Sequence, residues 1–474
     1  MGWGIVPALP GVARAAAKLS GMQSWRASLL WFDPEADGPR PHFESDGLLV
    51  TAADAAGVQR VVAVGAYDTL RPRYSDVAVH DRRGRLIAPG FIDLHIHYPQ
   101  TDVIGSPADG LLPWLERYTF PQEARFADPG HAASVARFFF DELLRHGVTT
   151  VLAFGTSHPG SVDALLGEAQ ARGLRCIAGK SLQDRHSPDG VRDETEASLR
   201  DTEALIARWH GRDRLGYAIT PRFAPSCSDA QLHGAGALAA RYSDVWIQSH
   251  VAENLDELRW VRALYPQDRS YLAVYERFGL LRRRAVYAHG IYLDDADRAL
   301  LARTGAAVAV SPTSNLFLGS GFFDYAAARE AGVTLGLASD VGGGMSFSPF
   351  ATMRAAYTVG RASVRGDGAA KRGVSLAATD LWWQHTAGAA RALGLAWVVG
   401  SLAPGSEADF VVLDPAATPL LARRTAQAAS LEEWLFALIL LADDRAVTEV
   451  VVAGAPASHA FTEATPDLHG GRAR

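Results

Sequence analysis

The chain has few cysteines and no excess of positive charge. Two of its 474 residues are cysteine, Cys176 and Cys227, which is too few for a disulfide framework or a cysteine-rich zinc module. Lys and Arg number 46 against 52 Asp and Glu, a formal net charge of −6, whereas proteins that bind nucleic acid through phosphate contacts carry a basic surface. We therefore expect a cytoplasmic protein without a nucleic-acid partner.

Long apolar runs are missing as well. The sequence contains no stretch of about eighteen uninterrupted apolar residues, and its first twenty residues lack the basic lead and the apolar segment of a secretion signal. No membrane association is expected. What the chain does have is core material, because 48% of its residues are hydrophobic and 45 Gly and 24 Pro supply many turns. This is the composition of a globular protein.

The hydrophobic pattern changes twice along the chain. Short β-rich pieces fill the region from Ser24 to Ala88, and after Gly90 about eight short apolar strands alternate with amphipathic helices. Repeated βα units predict a parallel sheet, and eight right-handed crossovers close into a barrel. The predicted fold is α/β: a (β/α)8 TIM-like barrel with a small composite β-sandwich domain. The boundaries are 1–21 for a disordered tail, 22–88 and 398–460 for the β domain, 89–397 for the barrel and 461–474 for a second tail.

Polar residues end several of the predicted barrel strands, at the edge where (β/α)8 enzymes keep their active sites. His95 and His97 lie two residues apart on one strand, so both imidazoles point to the same face and suit one metal ion. Taken alone, such a pair is common by chance. His250 ends a later strand and Glu253 follows it by about one helical turn, which alone could be a buried histidine beside a helix-capping glutamate.

Two further strand ends carry His289 and Asp340. A helix N-cap would also account for Asp340, because a glycine-rich segment and a helix follow it. A buried acid at that place nevertheless needs a positive partner, and a metal ion supplies one. Four strand ends that carry His-x-His, His, His and Asp in one predicted barrel together indicate a mononuclear metal site.

Zinc is the favoured metal because imidazole and carboxylate are its usual ligands, although iron or manganese could occupy the same groups. A metal at such a site activates water near neutral pH, so the predicted chemistry is metal-assisted hydrolysis. No lysine ends the strand at residues 149–154 in the way needed to bridge two metals, so one ion per chain is expected.

Seven segments between Ser24 and Leu413 resemble the guanine deaminase family of the metal-dependent amidohydrolase superfamily. The His-x-His pair, the His-x-x-Glu segment and the late Asp are specific to the superfamily only. The sequences HIHYPQT, LxWLExYTFPxE and TPRF are closer to guanine deaminases. The matching segments are residues 89–102, 111–126, 220–228, 248–257, 287–293, 311–323 and 339–348.

The resemblance implies a role for each matching residue. It makes zinc ligands of His95, His97, His250 and Asp340, and it makes catalytic residues of Glu253, Asp340 and His289. Glu253 would shuttle protons, and His289 would position the attacking oxygen. The substrate-binding positions implied are Gln100, Trp114, His186, Arg222 and Phe223.

General chemistry fits the last two roles. An aromatic ring such as that of Phe223 stacks on a planar base, and an arginine such as Arg222 donates several hydrogen bonds to ring acceptors. Without the motif, Phe223 would be read as ordinary core and Arg222 as half of a surface ion pair.

The implied activity is zinc-dependent hydrolysis of guanine to xanthine and ammonia in purine catabolism, by a homodimer. One departure bears on the substrate: where many relatives have Met-Asp-x-Asn, this chain has Gln183 to His186. The alternatives are a deaminase or chlorohydrolase acting on another aminopurine, a pteridine or a triazine, and a non-catalytic barrel. His186 could also replace the asparagine as a simple donor.

Overall fold

The computed structural model describes residues 21–362 and 373–457. Except for Gly21, the tails expected at 1–21 and 461–474 lie outside the described residues. Within the described ranges no helix is both long and apolar enough to cross a membrane.

In the described part of the chain, sixteen strands form two sheets. In chain order they are β1 (Gln23–Phe32), β2 (Pro41–Ala53), β3 (Gln59–Ala66), β4 (Val79–Pro89), β5 (Phe91–His97), β6 (Val148–Phe154), β7 (Arg175–Gly179), β8 (Ser181–Leu182), β9 (Leu215–Pro221), β10 (Trp246–Val251), β11 (Ala285–His289), β12 (Ala307–Val310), β13 (Thr334–Leu337), β14 (Phe410–Leu413), β15 (Val447–Val452) and β16 (Ala455–Pro456).

Helices follow most of the strands that start after residue 90. The α-helices are α1 (Tyr67–Leu70), α2 (Leu111–Trp114), α3 (Phe120–Ala124), α4 (Pro129–Arg145), α5 (Pro159–Ala171), α6 (Thr195–Trp209), α7 (Asp229–Arg241), α8 (Leu255–Leu264), α9 (Tyr271–Arg277), α10 (Asp295–Thr304), α11 (Pro312–Phe317), α12 (Tyr325–Glu330), α13 (Pro349–Ala362), α14 (Ala378–Gln384), α15 (Ala387–Ala392), α16 (Pro419–Thr425) and α17 (Leu431–Leu441).

The barrel confirms the predicted fold class. Strands β5, β6, β7, β9, β10, β11, β12 and β13 are parallel neighbours in that order, and the short β8 pairs with β9 beyond the end of β7. The ring closes just past β13, where Asp340 N–H donates to the His95 carbonyl (2.9 Å) and His97 N–H donates to the Val341 carbonyl (2.9 Å). Closure therefore brings the ends of the first and last strands together.

The outer helices bury one apolar face each against this barrel. In α4 the side chains of Val135, Phe139 and Leu143, spaced four residues apart, are all buried, as the helical period requires. The helix begins where the Asp128 side chain accepts the Gly130 N–H (2.9 Å), which satisfies one of the free donors of the first turn.

The second sheet combines the two ends of the described chain. Its strand order is β16-β15-β14-β4-β1-β2-β3, so β14 from the C-terminal part pairs with β4 from the N-terminal part. The small composite β domain was expected from the sequence. Its seven strands form one hydrogen-bonded series. Strand β4 runs parallel to β1, because the chain crosses over through α1 between β3 and β4.

A buried ion-pair network connects the barrel to the segment that leads into β14. Arg214, just before β9, pairs with Glu407 (2.9 Å) and with Asp409, and Arg175 at the start of β7 pairs with Glu407 (2.7 Å). Burial opposes ionisation of Glu407, but the charges of Arg214 and Arg175 outweigh it, and the pKa of Glu407 is lowered.

Candidate active site

Strand ends bring four imidazoles and one carboxylate together at one mouth of the barrel. The Nε2 atom of His97 lies 3.2 Å from Nε2 of His95 and 3.1 Å from Nε2 of His250. Asp340 Oδ1 lies 3.0 Å from His95 Nε2 and 3.4 Å from His97 Nε2, and its Oδ2 is 3.8 Å from His289 Nε2. His250 is partly exposed and the other four side chains are buried.

Hydrogen bonds orient two of these rings. His250 Nδ1 donates to the Arg222 carbonyl (2.5 Å), and His289 Nδ1 contacts the Asn315 side-chain oxygen (2.8 Å). With Nδ1 of His250 as the donor, its Nε2 keeps its lone pair and faces the cluster. Burial lowers the pKa of His95 and lowers the pKa of His97 and His250 well below the usual value, so these rings are neutral.

The donor set fits a metal ion. Four residues place a ligand atom within 4.8 Å of one another: His95, His250, His289 and Asp340. His97 Nε2 in turn contacts His95, His250 and Asp340. His289 Nε2 is buried without a hydrogen-bond partner among the described residues. Neutral imidazoles beside a carboxylate are the ligands that zinc and similar divalent metals take.

Backbone conformation sets the direction of two of these side chains. His289 has φ +72° and Asp340 has φ +52°. Both values lie in the left-handed region, which residues other than glycine adopt only at an energetic cost. His289 is the last residue of β11 and Asp340 follows the end of β13 by three residues, so the chain turns sharply at each. These conformations point both side chains inward over the barrel mouth.

Glu253 stands beside the imidazole and carboxylate cluster. The residue is buried; its Oε1 accepts from Ser320 Oγ (3.2 Å), and its Oε2 lies 3.4 Å from His289 Nε2. Burial, and then the negative charge of Asp340, raise the pKa of Glu253 above its ordinary value. A carboxyl group in these surroundings holds a proton more readily and can donate it.

A cavity opens directly over this cluster. Four of the expected substrate-binding residues line it together with the cluster and Glu253. The lining residues are His97, Gln100, Leu111, Trp114, Leu115, Arg222, Phe223, His250, Glu253, Glu257, Leu318, Asp340 and Gly343. The indole Nε1 of Trp114 is buried and has no hydrogen-bond partner among the described residues, so a ligand with an acceptor could satisfy it.

Two residues singled out by the departure in sequence lie outside this lining. His186 is exposed and stacks on Trp260 with ring centroids 5.3 Å apart, and Trp260 in turn packs edge-on against Phe223 (5.8 Å). Gln183 is buried, and neither side-chain polar atom has a partner among the described residues. His186 is therefore connected to the cavity lining through Trp260, which contacts Phe223.

Sequence reasoning assigned no role to two buried carboxylates of the cavity region. Glu257 lines the cavity and accepts the backbone N–H of Glu253 (3.0 Å). Glu123 is fully buried against Arg222 and Gln100. Both had a signal, since Glu123 ends the matching segment TFPQE and Glu257 follows Glu253 by four residues.

The model of the Amidohydrolase family matches residues 86–456, which include the barrel, the site and strands β14 to β16. The chain belongs to the amidohydrolase family. It is also 40% identical over 423 residues to the guanine deaminase of Escherichia coli (strain K12), covering 89% of this chain and 93% of that protein.

Solved structures of amidohydrolases agree with this assignment. E. coli guanine deaminase superposes with a TM-score of 0.87 at 39% identity, covering 92% of this chain and 99% of that one. Guanine deaminase from C. acetobutylicum, solved with guanine bound in its active site, gives a TM-score of 0.83 at 28% identity and covers 92% of this chain and 100% of that one.

Proposed function

We propose that the protein is a guanine deaminase that hydrolyses guanine to xanthine and ammonia. The observation that carries the proposal is that Gln100, Trp114, Arg222 and Phe223 line one cavity with the imidazole and carboxylate cluster and Glu253. Recognition groups and hydrolytic groups thus face the same space. The similarity to guanine deaminases over most of the chain supports the same substrate.

Recognition of guanine follows from the donors in the cavity. Arg222 would donate to the carbonyl O6 and to N7 on one edge of the purine, and Phe223 would stack on its plane. Adenine has an amine where guanine has the carbonyl, so a donor would face a donor in a buried site. Such mismatches give large discrimination, because neither group can be satisfied.

The hydrolysis requires a nucleophilic water and the transfer of both its protons. The water oxygen bonds to C2 of guanine while Asp340 accepts one proton from it and Glu253 gives its own proton to N3. Glu253 then takes the second proton from the hydroxyl on C2 and passes it to the exocyclic nitrogen, the C2–N bond breaks, the C2 carbonyl forms and ammonia leaves. The proton held by Asp340 restores Glu253. His289, 3.4 Å from Glu253 and 3.8 Å from Asp340, positions the attacking oxygen.

We propose that the resident metal is zinc, one ion per chain, with His95, His97, His250 and Asp340 as ligands. The ion would supply Lewis-acid polarisation and make a water acidic enough to ionise near neutral pH. Elemental analysis of purified protein should find about one zinc per chain, and His97→Ala should lose most of it. Full metal content in that variant would remove His97 from the ligand set.

Ammonia release tests the activity directly. Metal-replete enzyme is assayed with guanine, adenine, cytosine, pterin and melamine, and guanine should be strongly preferred, with xanthine as the product. Turnover of pterin or melamine in place of guanine would instead support the alternative substrates that the departure at Gln183 and His186 leaves open. Metal-replete protein that is inactive on the whole panel would favour a non-catalytic barrel.

Three further proposals concern the whole chain. A domain division at 22–88, 89–397 and 398–460 is supported by the strand membership of the two sheets. The resemblance to guanine deaminases supports a homodimer, which sedimentation would test, and a role in purine catabolism. The cytoplasmic location rests on the sequence composition and stays a prediction.

A further inference from the structure

One buried carboxylate joins the two polar side chains expected to read the substrate. Glu123, on α3, is buried. Its Oε1 accepts from Gln100 Nε2 (3.1 Å) and from Arg222 Nη1 (2.9 Å), and its Oε2 accepts from Arg222 Nη1 (2.7 Å). We propose that Glu123 is a positioning residue that orients both side chains and makes the recognition site electrically neutral. This inference rests on the proposed function.

Glu123 determines which way the Gln100 amide faces. Gln100 Oε1 accepts the Gly342 N–H (3.2 Å) while its Nε2 donates to Glu123. Since the carboxylate accepts and the backbone N–H donates, the flipped amide would place like groups against each other on both sides. The remaining N–H of Gln100 is therefore available as a donor at the cavity.

Glu123 also holds the Arg222 guanidinium by one end. Both bonds to the carboxylate come from Nη1, and the guanidinium carbon lies 5.3 Å from the Phe120 ring centre. Arginine has donors on three nitrogens, so Nη2 and Nε stay available for a ligand at the cavity. The planar group is fixed between the carboxylate and the aromatic ring.

The Arg222–Glu123 pair therefore presents hydrogen-bond donors to its end of the cavity but carries no net charge. Arg222 and Glu123 are both buried, with side chains 3% and 1% exposed, so little water screens either charge. An anionic purine gains less binding energy from an arginine whose positive charge is already balanced by a carboxylate. A neutral purine with acceptors on its edge, such as guanine, fits these donors better.

A purely structural role would also explain a carboxylate beside a buried arginine, because an unpaired buried charge is costly. The two explanations differ in what a charge-neutral replacement does. If Glu123 only stabilises the fold, E123Q should lower stability and leave ligand preference unchanged. If it sets the charge of the site, the preference between neutral and anionic purines must shift.

Steady-state kinetics with E123Q are the first measurement. We expect the KM for guanine to rise about tenfold or more, with kcat within a few-fold of the wild type and metal content unchanged, because binding groups are misplaced while the hydrolytic groups are not. The matched control is E116Q, an exposed glutamate seven residues earlier, which should change neither parameter. An unchanged KM in folded E123Q would overturn the proposal.

Ligand binding measured by calorimetry is independent of turnover. Hypoxanthine is neutral and urate is an anion at pH 7.5. The wild type should bind hypoxanthine more tightly than urate, and E123Q should shift this ratio toward urate by about tenfold, because the Arg222 charge is then uncompensated. The wild type and E123Q hold the same metal, so any contact of urate with that metal contributes equally to both affinity ratios and does not change the comparison between them. An unshifted ratio would contradict the proposal.

Two variants keep the test decisive if E123Q fails to fold. E123D keeps the charge but withdraws it by one methylene, so it should raise the KM for guanine without shifting the ratio toward urate. E123Q/R222Q removes both charges and should also leave that ratio near the wild-type value. A urate shift in E123D or in the double variant would refute the charge argument. Absence of guanine turnover in the wild type would instead refute the proposed activity.

Discussion

At the scale of single residues, the site depends on where each proton can reside. His250 Nδ1 bonds to the Arg222 backbone carbonyl, which can only accept, so the Nδ1 proton stays there and Nε2 is free to bind a metal. Glu253 has the His289 imidazole, the Ser320 hydroxyl and the charge of Asp340 around it. The same buried space therefore contains groups that bind a cation and a group that retains a proton.

Glu253→Gln tests the proton transfer. The amide has the same shape and cannot shuttle protons, so turnover of guanine should fall by about 10²–10⁴-fold. Metal content and the unfolding midpoint should stay near the wild-type values. A drop of less than about tenfold would mean that another residue carries the proton.

Arg222→Met tests recognition at the other end of the cavity. Removing the guanidinium deletes the donors for O6 and N7, so the KM for guanine should rise by about tenfold or more and the preference for guanine over adenine should shrink. The change leaves Glu123 buried without its cation, so the unfolding midpoint is measured alongside. A guanine-to-adenine ratio that stays at the wild-type value would show that Arg222 does not read the carbonyl edge.

At the scale of elements, the segment between β10 and α8 is held by a second buried carboxylate. Glu257 Oε2 accepts from the backbone N–H of Glu253 (3.0 Å) and of Asn254 (3.3 Å), and its Oε1 accepts from Tyr271 Oη (2.8 Å). Tyr271 Oη in turn accepts the backbone N–H of Ala224 (3.3 Å). The start of α8 is thereby connected to the loop that carries Arg222 and Phe223.

Glu257→Gln should loosen the position of Glu253. An amide has one acceptor oxygen where the carboxylate has two, so a donor must face either Tyr271 or the two backbone N–H groups. We expect kcat to fall by about tenfold, with a smaller change in KM and full metal content. Asp256→Asn, on the exposed side of the same helix, is the control. Equal kcat in both variants would show that Glu257 does not position Glu253.

At the scale of the whole molecule, the Arg214 network connects the barrel to the second sheet. Arg214→Met leaves Glu407 and Asp409 buried with less positive charge, which should lower the free energy of unfolding by about 3–5 kcal/mol. Arg208→Met removes a half-exposed pair with Asp163 (2.5 Å) and should cost less than about 1 kcal/mol. Denaturant unfolding of both variants measures the difference.

The same network has a defined response to acid. The pKa of Glu407 is lowered in the folded state, so its contribution to stability is present above the unfolded value and is lost as the pH falls through the folded pKa. Wild-type protein should therefore lose part of this stabilisation in acid. An equal loss in Arg214→Met and wild type would argue against it.

Much of the fold follows from local patterns. Apolar strands followed by amphipathic helices predicted the eight barrel positions, because side-chain periodicity is a property of neighbouring residues. The polar residues at the strand ends were also visible, since parallel strands of a barrel end at one face. The sequence therefore predicted that four side chains would meet at one face of the barrel, those of His95, His97, His250 and Asp340.

Other features depended on residues far apart in the chain. Glu123 meets Arg222 across 99 positions, and no local pattern signals that contact. His186 is exposed and stacks on Trp260, a contact that strand alternation does not determine. Periodicity assigns each side chain to a face of its own strand or helix. Which groups from different loops touch is decided only when the barrel closes and the loops pack over its mouth.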